Sequence, residues 1–325
     1  MLTKDDIRGV AAMIPTPCKE GQGGWQFEDS VDLDETARMT EALISAGIGS
    51  IAANGTTGEC AALTLEEKLA FTRTIVEVAR GRVPVFAGIT TLGTKETVRQ
   101  MRMFRELGVE GGFVGLPLWQ TPTIANSVKF YADLAEAVPD MGLMVYANPL
   151  FFKSTFPVEF WAGVGKHCPT VVTCKYVGNL MDPKNMLADL PASMDAAPHV
   201  QFLPIDFVAP MAYDLVGDRL KGMWSTACVM GPEPVVALQK AIDAGDRARM
   251  GEIMHDIHAL PNAIPDFKDL AKYNVQVEKL RCNAAGYIKA GPCRAPYQDI
   301  PDDWRAATEA NGKAWAQMCE SKYRC

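Results

Sequence analysis

Lys175 is the residue with the clearest capacity for chemistry, because it interrupts an otherwise apolar run, Val171–Val177. Such a run predicts a buried strand, in which successive side chains alternate between two faces. A lysine that faces a protein interior loses hydration, and this loss favours the neutral amine. A neutral amine can attack a ketone to form a Schiff base. The alternative is a lysine on an edge strand that extends its charged end into water.

Two polar side chains stand at the end of the preceding apolar run, Gly142–Asn148. Tyr146 carries a phenol that can move protons while a carbinolamine forms or a C–C bond breaks, or else it closes the core. By strand alternation Asn148 shares the face of Tyr146. Its amide could orient a substrate hydroxyl or a water molecule there. Asn148 also precedes Pro149, so a turn-capping role stays open.

A third feature is the turn Gly55-Thr-Thr-Gly-Glu59, which follows the apolar run Gly47–Asn54. Its glycines permit a tight turn and close approach of the backbone to a ligand. The hydroxyl and backbone N–H groups of Thr56 and Thr57 could hold a small carboxylate, most readily if a helix begins there. The turn therefore predicts a binding element for an acidic substrate.

Eight apolar segments of strand type alternate with amphipathic segments along the chain. The strand segments are Gly9–Pro17, Gly47–Asn54, Pro84–Thr90, Gly111–Pro117, Gly142–Asn148, Val171–Val177, Gln201–Asp206 and Lys221–Met230. The segments with the clearest helical pattern are Asp32–Ala46, Thr64–Arg80, Thr94–Leu107, Pro234–Ala244, Asp246–Leu260, Asp266–Cys282 and Asp302–Met318. Thr64 and Glu67 have capping-box spacing, and Gly108 is a candidate C-terminal cap.

This alternation predicts an α/β fold, and the number eight favours a (β/α)8 TIM barrel over a doubly wound sheet. We expect the barrel, with the active site, in residues 1–235. Residues 236–325 should supply the helix that closes the barrel and a C-terminal helical extension. Active sites of such barrels lie at the C-terminal ends of the strands, where Tyr146 and Asn148 stand.

Composition and charge argue against several classes of protein. The net charge is −7 and no basic stripe is present, so nucleic acid is not an expected partner. No apolar run is long enough to cross a bilayer and no secretory signal is evident, so we expect a cytoplasmic protein that needs no membrane. Nine scattered cysteines without a Cys-x-x-Cys pair suit reduced thiols. The four histidines form no cluster with carboxylates that would predict a metal site.

Taken together, the turn, the tyrosine and the lysine resemble the dihydrodipicolinate synthase/N-acetylneuraminate lyase superfamily. The resemblance rests on Gly55–Glu59, on Tyr146 in a Tyr-x-x-Pro setting and on Lys175, and it covers residues 6–235 in order and spacing. It implies that Lys175 forms the Schiff base, that Tyr146 shuttles protons, and that Gly55, Thr56 and Thr57 bind the carboxylate of pyruvate. It further implies a homotetramer and, because the intermediate is bound to lysine, no separate cofactor.

Departures from the superfamily's common pattern indicate a subfamily. Trp119, in Leu116-Pro-Leu-Trp-Gln-Thr-Pro122, occupies the place of a tyrosine of the proton relay. The stretch Leu150-Phe-Phe-Lys153 lacks the arginine that holds a second substrate carboxylate. These features resemble the hydratase-aldolases of aromatic hydrocarbon breakdown, as do Met223–Ala227 and later stretches that extend the likeness over nearly the whole chain.

That resemblance implies a 4-aryl-2-oxobut-3-enoate as substrate, and an aromatic aldehyde and pyruvate as products. An ortho-hydroxylated ring, as in naphthalene breakdown, is the first expectation, and an ortho-carboxylated ring is the second. Trp119, Phe151 and Phe152 are candidates to flank the ring, although the two phenylalanines would also suit a core or a subunit contact. Asn283 is a further candidate for substrate binding. The same barrel would also suit a biosynthetic or sugar-acid lyase, or a noncatalytic pyruvate-sensing protein.

Overall fold

The computed structural model describes residues 1–179 and 185–324, and eight strands, β1 to β8, lie within these ranges. They form one sheet in the order β7-β6-β5-β4-β3-β2-β1-β8. The strands span Gly9–Met13, Ser50–Ala53, Val85–Gly88, Gly111–Val114, Gly142–Ala147, Val171–Tyr176, Gln201–Leu203 and Gly222–Ser225. Every strand residue except Gly9 is buried. Burial on both faces is characteristic of parallel strands covered by helices, and it explains the continuous apolar runs.

Twelve α-helices, α1 to α12, are found in the same ranges. They span Leu33–Ser45, Leu65–Ala79, Thr94–Glu106, Ile124–Ala137, Pro149–Phe152, Val158–His167, Leu190–Ala196, Ala209–Val216, Glu233–Asp243, Arg247–His258, Leu270–Ala285 and Asp302–Met318. The seven helices predicted from the sequence are confirmed. The capping box of Thr64 and Glu67 is formed at the start of α2. Gly108 adopts a φ of 86° just after α3, the left-handed conformation expected of a helix terminus.

All eight strands are shorter than their predicted segments, and β8 and β1 show this clearly. The run Lys221–Met230 contains β8 only as far as Ser225, and a 3-10 helix follows at Ala227–Met230. The hydroxyl of Ser225 accepts a hydrogen bond from the Cys228 backbone N–H at 3.0 Å, which turns the chain away from the sheet. Likewise, β1 ends at Met13 rather than Pro17. Apolar composition predicted these strands but not the residues at which they end.

The strands pair in parallel and β8 returns to β7. The registers from β3 through β7 are all parallel. Ile205, just after β7, forms a parallel bridge with Trp224 of β8, and the Gly9 backbone N–H donates to the Lys221 carbonyl at 2.9 Å beside β1 and β8. The fold is therefore the predicted (β/α)8 TIM barrel, and α9 to α12 follow its last strand.

By internal contacts the chain divides into two compact units. The first, which we call the lysine unit, comprises Met1–Ala11 and Pro84–Trp224. The second, the turn unit, comprises Ala12–Val83 and the chain from Ser225 onward. This grouping reflects packing, and the topological division into 1–235 and 236–325 stays a prediction.

The cysteines that the structure describes occur as thiols. The eight cysteines among the described residues are free, and six of them are buried. The ninth, Cys325, lies outside the described residues. As for membrane insertion, none of the helices described is both long and apolar enough to cross a bilayer.

Candidate active site

The lysine unit brings Lys175 and Tyr146 together. Strands β5 and β6 pair so that Tyr146 stands opposite Lys175, and the lysine Nζ lies 4.6 Å from the centroid of the tyrosine ring. Lys175 is only 5% exposed, which decides against the alternative of a side chain extended into water. A buried amine beside a phenol is an arrangement that can support Schiff-base chemistry with proton transfer.

A bulge in β6 sets this pairing. Leu143 pairs with Val171, whereas Met144 pairs with Thr173, so β6 contains one extra residue at this point. Without that residue Tyr146 would stand opposite Cys174 instead of Lys175, because a one-residue shift of register exchanges the faces of a strand. Strand alternation in the sequence predicted the faces within each strand, but it carried no signal for the bulge.

Aromatic neighbours hold the Tyr146 ring in place. Phe113 of β4 stacks on it with centroids 4.4 Å apart, and Phe152 of α5 packs edge-on at 4.9 Å. Gly115 makes room for Phe152, since a Cβ there would lie 2.1 Å from the Phe152 Cζ. Phe152 is thus a buried neighbour of Tyr146. This contact favours the core role that the sequence left open for it.

Trp224 also contacts the amine, although the sequence analysis did not assign it to the site. The Lys175 Nζ lies 3.5 Å from the centroid of the Trp224 ring. The indole Nε1–H donates to the Tyr176 carbonyl at 3.0 Å, and the backbone N–H of Trp224 donates to the Pro204 carbonyl at 2.9 Å. A tryptophan in the last strand of a barrel, at the edge where active sites lie, was the available signal.

Asn148 is the N-terminal cap of the short helix α5. Its Oδ1 accepts a hydrogen bond from the Leu150 N–H at 3.0 Å, and its side chain is buried. The turn-capping role that the sequence left open is therefore present. It occupies the carbonyl oxygen of the amide and fixes the direction of the side chain. The NH₂ group of the same amide is not used by this cap, so a role in catalysis stays a prediction.

The turn unit contains the glycine-rich turn Gly55–Glu59. No helix begins at Thr56 and Thr57, because the next helix, α2, begins at Leu65. Instead the Glu59 N–H donates to the Thr56 carbonyl at 2.9 Å, which folds the residues into a compact turn. Gly58 suits this turn, since a Cβ there would make a tight contact of 3.1 Å with the Asn54 backbone nitrogen. Any carboxylate at this turn would meet turn N–H and hydroxyl groups rather than a helix terminus.

Glu59 anchors this turn to the C-terminal part of the same unit. Its Oε2 lies 2.7 Å from the Lys279 Nζ and 2.5 Å from the Arg294 Nη1, and all three side chains are buried. Its Oε1 accepts from the Arg294 backbone N–H at 2.6 Å. Glu59 adopts a φ of 55°, a left-handed conformation that is unfavourable for a glutamate and needs such support. We call Glu59, Lys279 and Arg294 the buried ion cluster.

Three further predicted residues lie in different surroundings. Trp119 follows β4 and is 79% exposed, and Phe151 is partly buried in α5. Asn283 donates from Nδ2 to the Gly291 carbonyl at 2.9 Å and accepts from the Gly291 N–H at 3.1 Å. Both ends of the Asn283 amide therefore hold a loop of the turn unit, which gives the residue a structural role. Among the residues described, no group of His, Cys, Asp and Glu side chains has the arrangement of a metal site.

Comparison with known proteins identifies close relatives. The model of the dihydrodipicolinate synthetase family matches residues 24–314. The chain is 40% identical over 329 residues to a trans-O-hydroxybenzylidenepyruvate hydratase-aldolase of Pseudomonas aeruginosa, covering 99% of this chain and 96% of that protein. It is 35% identical over 321 residues to a trans-2'-carboxybenzalpyruvate hydratase-aldolase of Nocardioides sp., covering 97% and 95%. The solved structure of PhdJ bound to a substrate intermediate superimposes with a TM-score of 0.93 at 35% identity, covering 98% of each chain.

Proposed function

Since the chain belongs to the dihydrodipicolinate synthetase family, we propose that it is a class I hydratase-aldolase that cleaves a 4-aryl-2-oxobut-3-enoate to an aromatic aldehyde and pyruvate. The observation that carries the proposal is the buried Lys175 amine opposite Tyr146. Two hydratase-aldolases are also among the relatives that match nearly the whole chain.

The first step is condensation of Lys175 with the C2 ketone of the substrate. The C2–N bond forms, the C2–O bond breaks, and the oxygen leaves as water, so that an iminium remains on the lysine. Tyr146 is the group beside the nitrogen that can carry protons to and from the departing oxygen. We assign the substrate carboxylate to the turn at Gly55, Thr56 and Thr57, on the basis of the family resemblance.

Hydration and cleavage follow from the electron demand of the iminium. It withdraws electrons through the conjugated alkene, so water adds at C4 and a proton is taken up at C3. The C4 hydroxyl then loses its proton, the C3–C4 bond breaks, and the iminium accepts the electron pair as an enamine. Protonation and hydrolysis release pyruvate and restore Lys175. Tyr146 and the Asn148 amide are the groups we assign to the added water, and the chemistry requires no metal or other cofactor.

For the aryl group we propose an ortho-hydroxylated ring, with salicylaldehyde as the product and naphthalene breakdown as the setting. The relative named for that substrate is 40% identical, against 35% for the relative named for an ortho-carboxylated one. An ortho-carboxylate would also need a nearby cation, and Lys153 after α5 is an exposed candidate. Trp119 and Phe151 are assigned to the ring. We further propose a cytoplasmic homotetramer, as the resemblance implies.

A panel of benzylidenepyruvates tests the substrate. Compounds with an ortho-hydroxyl, an ortho-carboxyl or no substituent are supplied to the enzyme, and pyruvate and aldehyde are measured separately. The ortho-hydroxyl compound should turn over fastest, with equal amounts of both products. Lys175→Met should abolish turnover, whereas Lys166→Met, which removes an exposed lysine of α6, should leave it unchanged. A strong preference for condensing pyruvate with aspartate semialdehyde would refute the aromatic assignment.

A further inference from the structure

The Lys175 amine contacts two aromatic rings. The Nζ lies 3.5 Å from the ring centroid of Trp224 and 4.6 Å from that of Tyr146. Both Trp224 and Lys175 are 5% exposed, so water has little access to this contact. The indole Nε1–H of Trp224 donates to the Tyr176 carbonyl and fixes the ring, while its backbone N–H donates to the Pro204 carbonyl and fixes the strand.

The charge on this nitrogen changes during a Schiff-base reaction. The neutral amine adds to a ketone to give a neutral carbinolamine, and loss of water from the carbinolamine leaves an iminium with one positive charge. An aromatic face attracts a cation but not a neutral amine, most strongly when water is excluded and when the ring is an indole. At 3.5 Å the Trp224 face lies within the range of such an interaction.

We propose that Trp224 is a catalytic residue that stabilises the cationic Schiff base of Lys175 relative to the neutral carbinolamine. The inference rests on the proposed Schiff-base function and adds a residue to it. The ring face that Trp224 presents to Lys175 carries no exchangeable proton, and it forms no covalent bond with the nitrogen. Its contribution is electrostatic: it favours loss of water from the carbinolamine and slows the reverse addition of water to the iminium.

The two aromatic neighbours of Lys175, Tyr146 and Trp224, would have different roles in the reaction. Tyr146 carries a hydroxyl and can transfer protons, whereas the Trp224 ring presents a face and its single N–H is already bonded to the Tyr176 carbonyl. Proton transfer and charge stabilisation are therefore divided between two side chains. Loss of Trp224 should change the lifetime of the iminium, while loss of the Tyr146 hydroxyl should change the rates of proton-coupled steps in both directions.

Hydrolysis of the preformed pyruvate adduct measures this contribution, because its first step is the addition of water to the iminium to give the carbinolamine. The other steps of the catalytic cycle do not enter the measurement. The adduct is formed with pyruvate, the mixture is diluted, and the remaining iminium is trapped with borohydride at successive times. Trp224→Leu should accelerate adduct loss by roughly 10- to 30-fold, with Trp224→Phe between wild type and Trp224→Leu. If the phenylalanine and leucine variants lose the adduct equally fast, the ring face is not the stabilising group.

Fluorinated tryptophans provide a test that does not depend on the folding of these variants. Fluorine withdraws electron density from the ring face while the shape and the N–H are kept. Adduct loss should accelerate stepwise as fluorines are added to the wild-type protein. The Trp224→Phe protein, labelled at its other tryptophans, should show no trend. Equal adduct lifetimes at every level of fluorination would overturn the assignment of Trp224, whereas absence of any adduct in the unlabelled wild type would overturn the proposed function instead.

Discussion

Lys279→Met should lower the free energy of unfolding by about 3 kcal/mol. The substitution removes the ammonium from the buried ion cluster but keeps a side chain of similar length. In the wild type this Nζ lies 2.7 Å from Glu59 Oε2 and 2.7 Å from the Pro292 carbonyl, with none of the lysine or glutamate side chain exposed. Its loss leaves a buried carboxylate with one fewer cation and removes the lysine donor from the partly buried Pro292 carbonyl.

The magnitude follows from what remains around Glu59. Removing one partner of a buried ion pair costs about 3–5 kcal/mol, since an uncompensated charge stays in a low-dielectric interior. Arg294 still contacts Oε2 at 2.5 Å and donates its backbone N–H to Oε1. We therefore expect the lower end of that range. Glu59→Gln leaves two buried cations without a carboxylate and should reach the upper end.

Urea unfolding of a matched pair of variants provides the assay. Lys129 forms an ion pair with Asp133 at the same distance, 2.7 Å, but the lysine side chain is 73% exposed. Lys129→Met should change the free energy of unfolding far less than Lys279→Met does, because exposed i,i+4 pairs contribute little. The Glu59→Gln/Lys279→Met double variant should be more stable than the sum of the two single losses predicts. Equal, small losses in Lys279→Met and Lys129→Met would contradict a stabilising role for the buried ion cluster.

Three further predictions concern the site and the thiols. Asn148→Ser keeps an oxygen that can cap Leu150 but removes the amide NH₂. It should therefore slow turnover by about 10²-fold, while formation of the pyruvate adduct changes little. Equal losses in the two assays would contradict a catalytic role for Asn148. Trp119→Ala should change the free energy of unfolding by less than about 0.5 kcal/mol, since the side chain is 79% exposed, yet it should raise KM for the aryl substrate, and an unchanged KM would exclude contact with the ring. Burial raises the pKa of the Cys293 thiol to about 11. Because the thiolate is the reactive form, iodoacetamide should label Cys293 slowly at pH 8 and faster as the pH rises towards 11. Rapid labelling of the native protein at pH 8, detected by mass spectrometry, would contradict the raised pKa. Because the pKa of Cys293 is higher in the folded protein than in the unfolded chain, the buried thiol contributes its full share of stability below the ordinary thiol pKa. That contribution is lost as the pH rises towards 11.

The barrel could be predicted from sequence because its signals are local. Apolar runs mark strands that are buried on both faces, and the capping pair Thr64 and Glu67 marks the start of α2. The residues at which strands end were harder to predict from the sequence. The hydrogen bond between Ser225 and Cys228, which turns the chain after β8, depends on local geometry rather than on composition. The position of Tyr146 opposite Lys175 requires the bulge in β6, for which the sequence gives no periodic signal.

The remaining features of the site depend on contacts between distant residues. Trp224 reaches Lys175 from another strand, and Glu59 meets Lys279 and Arg294 from segments more than two hundred residues away. No spacing rule connects such positions in a single sequence. Asn283 could not be placed from sequence; the structure shows its amide bonded at both ends to Gly291, and its part in substrate binding stays a prediction.

Reduction with borohydride in the presence of pyruvate is the decisive experiment for the Schiff-base assignment. The treated protein is digested and each lysine peptide is examined by mass spectrometry. We expect one reduced pyruvate adduct, on Lys175, and none in Lys175→Met. No adduct, or an adduct on a different lysine, would contradict the assignment of Lys175 as the Schiff-base residue.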